Sequence, residues 1–202
     1  MNFYNGYKII AFLSLFITII ICAPSQAQAQ YHFNDIQLSW RDFIKKNVPI
    51  SSNAAAQTAV ELIITSSVEN DKLLIVIELI QDRDKSWVSR QFLQRATDTE
   101  SRNLLNHEKL HYAINLIGLK MLYNTLSDFT FSKDYKSELA GIFNSINRVT
   151  TKSNSDYDRQ TTHGIKKEAQ EIWTEDIFQQ LNDLYPNEEK LTTTYTLLKT
   201  IH

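Results

Sequence analysis

The spacing of apolar residues changes once along this chain, near residue 97. Upstream they come in short β-branched and aliphatic runs; downstream they recur at helical intervals. Residues 58–68 and 73–81 are rich in Val, Ile, Leu and Thr, and Glu69-Asn70-Asp71-Lys72 between them has turn chemistry. That pattern predicts a β-hairpin. Residues 37–40 read as a short strand followed by an amphipathic turn through Phe43, and residues 47–53 as a loop around Pro49. Ser86-Trp87-Val88 begins another short strand.

Thr97-x-x-Glu100 fits a capping box, so a helix is predicted to start there. Leu104, Leu105, Ile114, Ile117, Met121 and Leu122 form an apolar stripe that carries it to about residue 126. A second helix is predicted over residues 133–154, with Leu139, Ile142, Phe143, Ile146 and Val149 inward. A third is predicted over residues 166–185, with Ala169, Ile172, Trp173, Ile177 and Leu181 inward. The segment after Pro186 predicts no element. Strands first and helices afterwards indicate an α+β fold, a small antiparallel sheet packed with about three long helices. The absence of repeats, low-complexity tracts and linkers points to one domain over residues 30–202.

The first 29 residues stand apart. Lys8 precedes an apolar run over residues 9–21, and Ala27-x-Ala29 is a small-x-small cleavage signature. The run is shorter than the roughly 20 residues a transmembrane helix needs. A secretory signal peptide cut before Gln30 is expected, with an uncleaved N-terminal anchor as the alternative. The chain is then exported, to the periplasm or the medium, with no stable membrane insertion after cleavage. Cys22 is the only cysteine and falls inside this leader; Ile20 and Ile21 before it are not the small residues lipidation requires. Past residue 29, disulfides, thiolate ligands and a cysteine nucleophile are excluded.

Charge removes another class. The chain carries 21 Lys and Arg against 23 Asp and Glu, with no basic block. Binding to nucleic acid or to an anionic membrane has no electrostatic support.

The chemistry concentrates in His107-Glu108-Lys109-Leu110-His111, an H-E-x-x-H match inside the first predicted helix. At about 100° per residue, positions four apart return to one face, so two imidazoles can meet one metal ion. Glu108 lies beside them as a candidate general base. The bland reading is a surface helix with two solvated histidines and an ordinary Glu. Catalytic zinc takes three protein ligands and one open position. Of five histidines, His32 and His202 lie at the ends of the mature chain and read as incidental, which leaves His163. His163 is preferred as third ligand, although His163-Gly164 also fits a helix C-terminus with Gly164 as left-handed cap. Asp158 is the alternative third ligand; Glu168 and Glu171 are weaker. Tyr157 is a candidate second oxyanion donor, or a packed tyrosine with a satisfied hydroxyl.

Several of these motifs recur together. Leu38-x-Trp40-x-Asp42-Phe43, Ser86-Trp87-Val88, Leu104-Leu105-x-His107-Glu108-x-x-His111, Tyr157-Asp158-x-x-Thr161-x-His163-Gly164 and Gln170-x-x-Trp173 are all present. In them the chain resembles the predicted secreted zinc-dependent proteases, a domain-of-unknown-function family of exported bacterial proteins. The resemblance runs from about residue 37 to residue 184. It implies a zincin-like peptidase with one Zn2+ per chain, His107 and His111 as the ligand pair, Glu108 as catalytic acid and base, and His163 in the second histidine motif. It also implies a peptide or protein substrate. The chain departs from the family at Lys109, often Gln there, and at Tyr112-Ala113, where an aromatic-acidic pair is usual. These departures favour the alternative function, a non-catalytic zinc-containing module that binds a peptide or an envelope component. The strand over residues 73–81 is a candidate sheet edge to which an extended substrate could add.

Overall fold

The computed structural model describes residues 30–48, 54–186, 188 and 190–202. The predicted leader, with Cys22, and most of the loop around Pro49 lie outside the described residues. The architecture is α+β. In chain order the elements are β1 (Ile44–Lys46), β2 (Ala56–Gln57), β3 (Val60–Glu69), β4 (Lys72–Gln81), β5 (Trp87–Ser89), α1 (Arg90–Arg95), α2 (Asp98–Asp128), α3 (Tyr135–Thr161), α4 (Lys167–Leu184) and β6 (Thr194–Thr200).

The hairpin forms as its pattern predicts, in register from Val60↔Gln81 to Glu69↔Lys72. Its two-residue turn puts Asn70 (φ 50°) and Asp71 (φ 58°) in the left-handed region, which short polar side chains tolerate best. The inner face of β4, Leu73, Ile75, Ile77 and Leu79, is buried against α2. Burial of each side chain contributes about 1.5–3 kcal/mol. The tail adds an element that its composition does not announce: β6 pairs antiparallel with β4 from Lys72↔Thr200 to Glu78↔Thr194. The sheet order is therefore β3-β4-β6, so β4 is central and not the open edge expected of residues 73–81; β3 is an edge. A second sheet of order β1-β5-β2 pairs β1 with β5 in parallel and β2 with β5 antiparallel.

The short strand expected at residues 37–40 is absent. Ser39 instead caps a 3-10 turn over Trp40–Asp42, with Asp42 Oδ2 accepting the Ser39 N–H at 3.0 Å, and the chain becomes extended only at β1. Local side-chain hydrogen bonding outweighed the alternating pattern there.

Thr97 caps α2 with the predicted box: Glu100 Oε2 accepts the Thr97 N–H at 2.8 Å, and Thr97 Oγ1 accepts the Glu100 N–H at 3.2 Å. α2 runs 31 residues through the core, with Leu110, Ala113, Leu119, Leu122 and Leu126 fully buried. α3 crosses it closely at Gly118, where an added Cβ would collide with Thr150 Oγ1. α3 also extends seven residues beyond the predicted end, to Thr161, which places Asp158 on the helix. Two inward assignments fail. Val149 is 52% exposed because Thr150 takes the contact with Gly118, and Ile172 is 68% exposed because α4 buries Ile177, Phe178 and Leu181 instead. Among the described residues no helix is long and apolar enough to cross a membrane.

Candidate metal centre

α2 sets His107 and His111 one turn apart, ring centroids 4.8 Å, with Glu108 beside them. His107 and Glu108 are buried because the flanking helix is sunk in the core. α3 approaches from the other side and presents Asn154, Tyr157 and Asp158 from a single face. Asp158 Oδ1 lies 3.1 Å from His107 Nε2 and 3.0 Å from His111 Nε2. These three ligand atoms lie within 4.8 Å of one another and form a group able to hold a metal ion.

His163 stands beside the group and not within it. Its Nδ1 is 3.2 Å from Asp158 Oδ1, and its side chain is 42% exposed on the rim of the cavity. The nitrogen and oxygen set that the fold closes up is thus the alternative one, with Asp158 in the third position. Glu168 and Glu171 fall on the first turn and a half of α4, outside the cluster.

The neighbours fix the proton on each ring. His111 Nδ1 is 2.8 Å from Asn154 Oδ1, and Asn154 Nδ2 donates to the Thr150 carbonyl at 3.0 Å. With the amide so oriented, Nδ1 of His111 must donate. His107 Nδ1 is 3.0 Å from Gln170 Oε1, which also accepts the Tyr157 hydroxyl at 2.8 Å. Both imidazoles therefore carry hydrogen on Nδ1 and turn Nε2 toward the Asp158 carboxylate. Lone pairs facing an anionic oxygen at 3.0–3.1 Å repel unless a cation lies among them, either protons on the rings or one metal ion. Amide carbonyls holding the far nitrogen are the usual support of a ligand imidazole.

The charges respond accordingly. Burial alone would lower the His111 pKa, but its hydrogen bond to Asp158 and the Glu108 charge raise it above the ordinary histidine value. Burial would raise Asp158, yet the two imidazoles hold it well below the usual carboxylate range. Glu108 is nearly fully buried, and its Oε2 has no hydrogen-bond partner among the described residues. Such an atom costs about 1–3 kcal/mol unless a bound group satisfies it.

Tyr157 is not placed as an oxyanion donor. It is fully buried, its hydroxyl serves Gln170, and its ring stacks on His107 at 4.6 Å and 24°. Burial also pushes its hydroxyl pKa far above the ordinary tyrosine value. Gly164 covers His107 as well. Its φ is +80°, and an added Cβ would lie 3.1 Å from His107 Cγ and Nδ1. The left-handed run of Thr162, His163 and Gly164 turns the chain from α3 into α4 and delivers Gln170. The His163-Gly164 motif thus packs against the His107 imidazole. Asn154 and Gln170 were missed as supports; Asn154-Tyr157-Asp158 at i, i+3, i+4 is the signal that could have found Asn154, had the helix been extended that far.

A cavity of about 540 Å3 opens over the group, walled by α2, α3 and the extended segment through β2 into β3. Its ionisable lining is Glu61, Glu108, Asp158 and the histidines, with Asn115, Asn147 and Thr151 farther along the helices. Fold and site together define an α+β protein in which a His/His/carboxylate group that could hold a metal ion lies between α2 and α3. The chain belongs to the family of bacterial proteins of unknown function DUF922, whose model matches residues 39–164. That span holds His107, Glu108, His111, Asn154, Tyr157, Asp158, His163 and Gly164, and stops short of Gln170. No curated protein and no solved structure matches the chain.

Proposed function

We propose that this protein is an exported zinc-dependent hydrolase of peptide bonds, with His107, His111 and Asp158 as metal ligands and Glu108 as general base. The observation that carries this reading is the convergence of two Nε2 atoms and a carboxylate oxygen beside a buried carboxylate oxygen with no partner among the described residues. Two imidazoles and one carboxylate suit zinc and leave a position open. Bound zinc would supply Lewis acidity, activating a water and polarising the scissile carbonyl.

The chain's own residues do the rest. Gln170 and Asn154 hold the imidazoles with Nε2 toward the cavity. Tyr157 stacks on the His107 ring, and Gly164 packs close beside it. Glu108 Oε2 accepts the proton of the attacking water and returns it to the leaving amine. The segment from Ala54 to Glu61, with four alanines, lines the cavity and suits an extended chain lying close to backbone. The apolar run and small-x-small site of the leader support export.

The alternative, a binding module without turnover, drew on Lys109 and Ala113. Lys109 Nζ donates to the Phe33 carbonyl at 2.7 Å and Ala113 is fully buried in the core; neither borders the cavity. The test is a comparison of the purified chain with Glu108→Gln for bound zinc and for cleavage of a mixed peptide library. Both proteins should hold one zinc, and only the unmodified chain should cleave. Persistent cleavage by Glu108→Gln removes Glu108 as the base, zinc with no cleavage by either favours the module, and no retained zinc removes the metal premise.

A further inference from the structure

Away from the metal centre, the fold gathers cations that are scattered in sequence. Arg41 from the 3-10 turn, Lys45 from β1 and Arg90 from the start of α1 line one open pocket of about 740 Å3, and no acidic residue lines it. Among the described residues none of the three has a carboxylate within ion-pair distance. Asp42, next in sequence to Arg41, is turned away toward Ser39 and Arg83. The floor is apolar: Phe43 is buried, and Trp40 packs edge-on against it at 5.1 Å, with Leu93 alongside. This pocket shares no lining residue with the cavity over His107.

One wall is a sheet edge. Among the described residues β1 pairs only with β5 and lies at the end of its sheet. The Ile44 N–H goes to the Ser86 carbonyl at 2.9 Å. In a parallel ladder alternate residues bond to opposite sides, so Lys45 turns its backbone groups outward. Arg90 Nη2 donates to the outward Lys45 carbonyl at 3.4 Å, and among the described residues no acceptor meets the Lys45 N–H.

We infer that this pocket is a docking site for an acidic, extended peptide segment of a partner protein, which adds to the β1 edge and sets one apolar side chain on Trp40, Phe43 and Leu93. Edge addition supplies main-chain hydrogen bonds, and the flanking cations select carboxylates. Lysines on an edge strand also guard it against aggregation, which accounts for Lys45 and Lys46. That role does not account for Arg41 and Arg90 converging from two other elements over an aromatic floor.

The test uses the full chain and a fluorescent octapeptide of alternating Glu and Val, read by anisotropy. Saturable binding is expected, weakened by about tenfold or more in Arg41→Glu/Arg90→Glu. The control Lys133→Glu/Lys136→Glu, on exposed residues elsewhere, should change it by less than about twofold. An alternating Glu-Ser peptide should bind about tenfold more weakly, because it leaves the apolar floor uncovered. No saturable binding, equal loss in the control pair, equal affinity for the Glu-Ser peptide, or preferential binding to anionic vesicles would each overturn the inference. Zinc content of the double variant should match the unmodified chain, which keeps this result separable from the metal reading.

Discussion

α2 carries two buried polar clusters, and they differ in one respect. About 13 Å along the helix from His111, Lys120 enters the core with its own counter-charge: Nζ lies 2.5 Å from Glu188 Oε1 and 3.2 Å from the Tyr195 hydroxyl. The rings of Tyr123, Tyr185 and Tyr195 surround the ammonium at 4.8–5.0 Å. Cation, anion and π-faces are all present in the chain, so that cluster is complete. It ties the segment around Glu188 and β6 to α2. At His107 and His111 both Nε2 atoms face the Asp158 carboxylate, no Lys or Arg among the described residues lines the cavity, and Glu108 Oε2 has no partner among them. The first cluster contains its cation; the second groups donor atoms that could hold one. Burial of polar groups alone does not distinguish structure from function, but the balance of donors and acceptors does.

The comparison is broken most directly at the metal group. On the proposed zinc reading, Asp158→Ala and His111→Ala should each lower zinc affinity by more than about a hundredfold, since each removes a proposed ligand and not a support. His163→Ala should lower it by less than about tenfold, as befits a rim residue. Competition with a chelator measures all three, and a reversed order of Asp158 and His163 would restore the histidine as third ligand.

At the other cluster, Lys120→Met should destabilise the fold by about 2–4 kcal/mol, because it leaves the half-buried Glu188 carboxylate without its cation. Its zinc affinity should stay within about twofold of the unmodified chain. Denaturant midpoints and zinc titration together show whether the two clusters are separable.

Asn154→Ala and Gln170→Ala should keep the zinc but weaken it by about 10–100-fold, by releasing the ring nitrogens they hold. A smaller effect is expected at Thr97→Ala, about 1 kcal/mol from loss of the α2 cap, with zinc affinity unchanged.

The last contrast is in pH. Burial alone would lower the Lys120 pKa, but Glu188 and the Tyr195 hydroxyl raise it; burial raises Tyr185 and Tyr195. In the unfolded chain lysine and tyrosine lose protons near about pH 10. The unfolded state then binds fewer protons than the folded one, so stability is fully present below about pH 10 and falls as pH rises through the folded values. Tyrosinate absorbance should therefore appear together with alkaline unfolding, and Lys120→Met should separate the two.

Legibility in the sequence followed locality. The 58–81 hairpin and the Thr97 cap were readable because neighbours a few residues apart decide them. The His107/His111 pair was readable for the same reason, being one turn of helix. The end of α3 was misjudged because residues 155–161 are polar, and helix there is held by packing on α2 and α4 without an apolar stripe of its own. That error hid Asp158 and Asn154 as members of one helical face and left His163 as the nearest histidine to choose. Gln170 lies on a third helix, so its role could not be read from spacing along any single element.

By itself the sequence determined the α+β order, the helix that bears two imidazoles and a carboxylate, and the absence of cysteine past residue 22, since each depends on residue type and short-range period. Only the tertiary structure decided which oxygen completes the group, which amides orient the rings, and that the tail closes the sheet as β6. Those outcomes depend on how α2, α3 and α4 cross, and crossing geometry is set by packing between segments far apart in the chain, where a close approach such as Gly118 on Thr150 has no counterpart in local pattern.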